Sequence, residues 1–521
     1  MNLYIIVLSV IVLALLLVSV ARLGKTKTKA DYLLAGRSLP AFVLVFTLLS
    51  SWIGSGSLLG GAENAYKHGF AALWQAAGGW LGLFLIYFIA PRARKFARYT
   101  IPDLLEARYN QTARILGVIA ILLTYTAITS YQFIGGGDIL HLIFPDQISP
   151  LSGRYVIAAF VIVFTAIAGM SSVAYMDLFI GLLATVTLCL ALPVLLEQAG
   201  HWSGLAAGWS TVRAALPPTH FQVFGDLSPV EAAELFLPTC LLLLGNQSMY
   251  QKFFSARSEK DASRAVVGWI IGTVVLESVI VAIAVTGSAL FPTGEVSRAP
   301  REILAFCGLH GFDPLPAATV ILGGNGEVSS VAETGQIAAM SVRAVFFLHL
   351  LGALLVGAIF AKIISTANNW LFSPATNLVN DIFVRYLQPQ ASNKRILIVS
   401  RLMVVFLGLW ALYQGLHTES VLRKALYAYT IYAAALTPVI LAAFFWRRAT
   451  AKGAVASVAA GTVITVAWDA VRTHIPPAVG NRDAIFPALF ASVLCLVVVS
   501  LVTKRSDAAH MDMVPESSTE S

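Results

Sequence analysis

Apolar stretches of about 20 residues recur along the whole chain between short polar segments, and each can cross roughly 30 Å of hydrocarbon as a helix. The pattern predicts thirteen candidate helices, at 3–21, 40–62, 70–90, 113–143, 154–170, 174–196, 232–251, 265–291, 340–370, 396–416, 425–446, 453–472 and 484–503. Two of them carry helix-breaking stretches. The second contains Gly54-Ser55-Gly56-Ser57-Leu58-Leu59-Gly60-Gly61, and the seventh, five helices later, contains Gly245-Asn246-Gln247-Ser248. Glycine costs about 1 kcal/mol relative to alanine inside a helix. Freed backbone groups at membrane depth persist only where protein or a water-filled cavity satisfies them. Small residues also let helices approach closely, but breaks at corresponding places in two halves of a chain point to a binding site near the bilayer midplane.

Composition agrees with the pattern. The 521 residues are 58% apolar and only 12% charged, with a mean hydropathy of +0.78, far from the balance of a soluble domain. The net charge of +8 is no sign of nucleic-acid binding, because Lys and Arg sit in short segments between apolar runs rather than on one basic face. The four cysteines (Cys189, Cys240, Cys307 and Cys495) are too scattered for a disulfide scaffold or a zinc site. The first apolar run has no basic residue before it and Arg22, Lys25, Lys27 and Lys29 after it, the reverse of a cleavable secretory signal. It is therefore expected to be a retained span with its N-terminus outside. Most of the basic residues then fall on the cytoplasmic side and the C-terminus lies inside, as the bias of Lys and Arg toward cytoplasmic loops requires. A plasma (inner) membrane location in the lipid bilayer is expected.

An intramembrane enzyme would need a motif such as H-E-x-x-H, which is absent, or a usable G-x-S-x-G elbow. A sensor would need an appended signalling domain, and a channel a repeated filter loop or charged ring. Neither is in the sequence.

Several segments together resemble the sodium/solute symporter family. They are Asp31-Tyr32-Leu33-Leu34-Ala35-Gly36-Arg37, Thr100-Ile101-Pro102-Asp103-Leu104-Leu105-Glu106-Ala107-Arg108-Tyr109, Gln247-Ser248-Met249-Tyr250-Gln251-Lys252-Phe253-Phe254-Ser255-Ala256, and Ile364-Ser365-Thr366-Ala367-Asn368-Asn369 followed by Ser373-Pro374-Ala375-Thr376-Asn377. The resemblance implies an all-α polytopic membrane protein with a five-plus-five inverted-repeat, LeuT-like core, one extra helix before it and two after. On that frame residues 1–521 form a single transporter domain: an extra helix at 3–21, core repeats at 40–196 and 232–446, further helices at 453–503, and a polar tail at 504–521. The function implied is sodium-coupled symport of a small polar solute by alternating access, with no cofactor besides the coupling ion.

By the same resemblance, sodium is held by the carbonyls of Ser50, Ile53 and Lys362 and the hydroxyls of Ser365 and Thr366. Oxygen ligands suit a hard cation, although adjacent Ser and Thr in a membrane helix also bond back to their own backbone. Lys362 is the departure, since the family usually has a small residue there. It shares a helix face with Ser365, Thr366 and Asn369 at i, i+3, i+4 and i+7. Its ammonium either replaces sodium, or titrates in a proton-linked carrier, or snorkels toward the interface. For the solute, the matching positions are Ser57, Gln75, Asn246, Gln247, Met249 and Tyr250; for Gln75 and Asn246 interhelical packing is the alternative. Asp177 matches an acidic position that assists cation exit, or is a solvated helix-end charge. Glu63 reads as solvated. Glu277, well inside a span, is expected to be functional on an ion pathway, with no partner evident from the sequence.

Overall fold

Backbone in hydrocarbon must satisfy its own N–H and C=O groups, and helices accordingly dominate the computed structural model, which describes residues 3–23, 34–90, 100–144, 147–167, 170–198, 216–290, 349–418 and 420–504. In chain order these are α1 (Leu3–Leu23), α2 (Ala41–Trp52), α3 (Gly61–His68), α4 (Leu73–Ile86), α5 (Ile101–Arg108), α6 (Gln111–Ile143), α7 (Pro150–Ile167) and α8 (Met170–Gln198). The second half follows with α9 (Pro229–Gly245), α10 (Gln247–Ser255), α11 (Glu259–Leu290), α12 (His349–Asn377), α13 (Asn393–Leu416), α14 (Val421–Ala435) and α15 (Thr437–Phe445). Beyond them lie α16 (Ala451–Val471) and α17 (Ile485–Val502).

Among the described residues ten helices are long and apolar enough to cross a membrane, not the thirteen expected from the pattern. The difference lies largely in the interruptions. The run expected at 40–62 stops at Trp52, reforms as a π-helical turn at Gly56–Gly60 and continues as α3. The run expected at 232–251 divides into α9 and α10 at Asn246. A third interruption, unforeseen from the pattern, falls at Leu436, where Pro438 in the first turn of α15 cannot donate to the preceding helix. Residues 340–348 of the ninth expected helix, Cys307, residues 199–215 and all of the outer segment 292–339 lie outside the described residues.

Helices five apart in the expected order touch one another in several places. The broken α2 meets the broken α10, α4 meets α11, α6 meets α12, and α7 meets α13. The α12 helix is buried for most of its length between α6 and α8. Large apolar side chains on the outer helices face outward, among them Leu17, Phe406, Phe490 and Val502, the arrangement of a protein dissolved in lipid rather than water.

Segment 34–40 shows what the first family motif does. Ala35, Gly36 and Arg37 all have positive φ (49°, 61° and 56°), which turns the chain so that Leu39 pairs with the strand-like end of α10. There Leu39 N–H donates to the Ser255 carbonyl at 3.1 Å and Arg257 N–H to the Leu39 carbonyl at 3.0 Å.

Candidate cation and solute site

Both broken helices end in an extended residue. Ile53 has φ −79° and ψ 101°, and Asn246 has φ −61° and ψ 112°. An extended ψ releases nearby carbonyls from the helical ladder, and at Ile53 the freed oxygens find α12. The Thr366 hydroxyl lies 2.8 Å from the Ser50 carbonyl, 3.1 Å from that of Ile53 and 2.9 Å from that of Lys362. Four of the five residues expected around sodium thus converge on one point through hard oxygens, chemistry suited to an alkali cation. Gly54 permits the approach: a Cβ there would lie 2.6–2.7 Å from the Thr366 side chain.

The fifth residue, Ser365, points its hydroxyl at Asp177. Asp177 also accepts from Thr47 Oγ1 at 2.5 Å and Asn369 Nδ2 at 3.0 Å, and is fully buried, so it is not a solvated helix-end charge. Lys362 does not snorkel. It is 1% exposed, and its ammonium donates to Ser50 Oγ at 3.0 Å, beside the carbonyl cage. A second ammonium, missed from sequence because it was assigned to a cytoplasmic segment, joins the cluster: Lys252 is buried and donates to Asn369 Oδ1 at 2.8 Å and Ser248 Oγ at 3.2 Å. Each ammonium shares a hydrogen-bond partner with Asp177: Asn369 for Lys252, and Ser50 for Lys362.

On the other side of the first break, a narrow cavity is lined by Trp52, Ser57, Gln75, Thr239, Glu277 and Tyr429, among others. Ser57, Gln75 and Glu277, all candidate site residues in the sequence, meet here. The Glu277 carboxylate accepts from Trp52 Nε1 at 2.7 Å, Trp80 Nε1 at 3.1 Å and Ser57 Oγ at 3.4 Å. The aromatic members had no sequence signal, since Trp and Tyr in apolar runs read as core.

Asn246, Gln247, Met249 and Tyr250 are not among the cavity-lining residues. Asn246 Oδ1 caps α10 by accepting from the backbone of Ser248 and Met249, and takes the Tyr125 hydroxyl at 2.8 Å. Tyr432 closes the same break, donating to the Gly245 carbonyl at 2.7 Å and accepting from Gln247 N–H at 3.0 Å. Gln247 Oε1 accepts from Ile101 N–H at 2.5 Å. Met249 is buried, and Tyr250 donates to the Leu244 carbonyl at 2.9 Å while stacking on Phe444.

At one end of the bundle, α5 and the π-helical continuation of α12 are locked together. Arg114 pairs with Asp103, with Glu106 at 2.5 Å and with the buried Asp381 at 3.1 Å, while Thr100 donates to Asp381 at 2.9 Å. Arg108 and Arg114 are buried. Glu63, expected to be solvated, is buried and paired with Lys67 at 3.1 Å.

A sequence profile of the sodium:solute symporter family matches residues 32–461. The chain belongs to the sodium:solute symporter family. A sodium/proline symporter of Staphylococcus aureus is 25% identical over 524 residues, covering 96% of this chain and 93% of that protein. The one from Staphylococcus aureus strain JH9 is 24% identical over 504 residues, covering 93% and 89%. Among solved structures, the substrate-bound outward-open state of a sodium-coupled sialic acid symporter superposes with a TM-score of 0.75 at 16% identity, covering 97% of this chain and 98% of that one. The closed, bromovinylhydantoin-bound nucleobase-cation-symport-1 family transporter Mhp1 gives 0.55 at 12% identity, covering 92% and 98%. The fold is therefore the LeuT-like transporter fold. Family and fold are those of transporters: this is a multi-pass membrane protein that couples sodium to the symport of a solute.

Proposed function

We propose that the coupling sodium binds at the carbonyls of Ser50, Ile53 and Lys362 with the hydroxyls of Ser365 and Thr366. The solute then binds on the opposite side of the α2 break, in the cavity of Ser57, Gln75 and Glu277. Sodium at the first break favours one arrangement of α2 against α12, which presents the cavity to one side of the membrane; release on the other side follows as the bundle rocks. The orientation is N-terminus outside and C-terminus cytoplasmic in the plasma membrane lipid bilayer, so the solute moves inward. The core repeats are taken as 40–196 and 232–446, with the first helix and the last two as additions. The convergence of three carbonyls on the Thr366 hydroxyl carries this reading.

Uptake by proteoliposomes tests it. L-Proline is the first solute to try, given the relatives' names, followed by other amino acids, sugars and carboxylates. An inward sodium gradient should drive accumulation that collapses in Thr366→Val, a variant that keeps the shape and removes the hydroxyl. Equal uptake by wild type and variant would reject the site.

A second reading rests on the Lys362 ammonium, 3.0 Å from Ser50 Oγ. In it the chain is sodium-independent or proton-linked and Lys362 permanently replaces the cation. Family membership favours sodium coupling. Lys362 then acts as a tethered cation that shields the site and withdraws when sodium arrives. Uptake that follows a proton gradient and ignores sodium would select the second reading instead.

A further inference from the structure

The cavity beside the first break contains a carboxylate that no described residue pairs with an opposite charge. Glu277 is 6% exposed, and its carboxylate accepts from two indole N–H groups and one hydroxyl. Among the described residues no Lys, Arg or His makes an ion pair with it. A carboxylate removed from water is retained only with a compensating partner, and inside a membrane protein such a group usually marks a transport path. Near it, the side-chain oxygen of Gln75 is buried without a donor. Two acceptors, one charged, therefore line one narrow space, and no described residue supplies a positive charge to it by an ion pair. The walls are aromatic: the rings of Trp52 and Tyr429 lie 5.9 Å apart at 30°. Indole and phenol faces attract an organic ammonium. They give no oxygen cage for a bare sodium ion, and both carboxylate oxygens are already partly occupied by N–H donors.

We propose that this cavity recognises the solute by a cationic amine, with the ammonium on the Glu277 carboxylate, a second N–H on the Gln75 oxygen, and the apolar part of the solute against Trp52 and Tyr429. The two indoles hold the carboxylate in place without neutralising it. The substrate class that follows is a small amine-bearing solute, such as an amino or imino acid, and the same carboxylate rejects solutes that are only anionic. This rests on the cavity being the solute site.

The test is ligand-induced stabilisation of the purified protein in sodium, since a ligand that binds the folded form alone raises its melting temperature. The ammonium-bearing probes are L-proline and L-alanine, zwitterions whose ammonium has N–H groups for both Glu277 and Gln75, and choline and glycine betaine, whose quaternary ammonium has none and should bind more weakly. Tetrahydrofuran-2-carboxylate is the proline analogue with oxygen in place of the amine, and glucose is the neutral control. L-Proline or L-alanine should stabilise wild type, and tetrahydrofuran-2-carboxylate and glucose should not. Glu277→Gln should weaken the binding by at least about 30-fold, the loss typical of truncating one side of a buried charge pair, and Glu277→Asp should recover part of it. Stabilisation by sodium alone, retained in Glu277→Gln, shows that the variant folds. Binding only of an amine-free solute, no binding of any ammonium-bearing probe, or equal amine binding by wild type and Glu277→Gln would each overturn the proposal. Sodium-driven uptake of glucose would sink the amine and leave symport intact, whereas amine binding that ignores sodium would do the reverse.

Discussion

Replacing Lys362 by Met removes an ammonium from the edge of the carbonyl cage while keeping most of the side chain's volume. In the structure that ammonium rests 3.0 Å from Ser50 Oγ, and the Ser50 carbonyl is itself one of the converging oxygens. A sodium ion on the cage would then lie about 5 Å from the ammonium, and at an effective dielectric of about 20 two such charges repel by about 3 kcal/mol. Part of that is relieved if the lysine swings away, so sodium should bind between about 10- and 100-fold more tightly to Lys362→Met than to wild type. The assay is a sodium titration of the melting temperature, with potassium holding ionic strength constant. The half-saturating sodium concentration should fall in the variant. An unchanged midpoint would mean that the ammonium and the ion do not share this space, and a loss of all sodium response would mean that the lysine helps to build the site rather than guarding it.

Other perturbations address the frame around the cage. Asp177→Asn weakens the acceptor that holds Thr47, Ser365 and Asn369 and should destabilise the protein by about 1–3 kcal/mol, read by thermal or denaturant unfolding; a neutral effect would show that these donors find other partners. Gly54→Ala drives a methyl into Thr366 and should cost about 1–3 kcal/mol while abolishing sodium stabilisation, which the same titration measures. Tyr432→Phe removes the hydroxyl that joins Gly245 and Gln247 across the second break, and a melting experiment should register a loss of about 1–3 kcal/mol. Arg114→Gln strips the buried Asp381 of its ion-pair partner and should loosen that end of the bundle, seen as faster labelling of a cysteine introduced at Ala375.

Much of the frame was legible along the chain because its causes are local. Twenty-residue apolar runs specify spans, and the glycine-rich stretch at 54–61 and Gly245-Asn246 specify the breaks. The shared face of Lys362, Thr366 and Asn369 follows from helical spacing alone, which is why that face could be assembled before any contact was known. Burial and partnership were not legible. Glu63 reads as solvated from the sequence, and for Asp177 a solvated helix-end charge is one of two readings, yet both are buried. Lys252 looked like a loop charge for the same reason. The surroundings of Glu277 come from Trp52, Ser57 and Trp80, about 200 residues away, and only three-dimensional packing brings them together. The solute positions on α10 were carried over from the family; here their amides and hydroxyls cap and seal the second break instead of lining the cavity.

The most direct test of the account is equilibrium binding of radioactive sodium to the purified protein, with Thr366→Val and Glu277→Gln measured alongside wild type. Saturable binding that is lost in Thr366→Val and kept in Glu277→Gln is the predicted result, because the first removes a ligand of the cage and the second alters only the neighbouring cavity. Binding that survives in Thr366→Val, or that is absent from wild type, would contradict a sodium site at the break between Ser50 and Gly54.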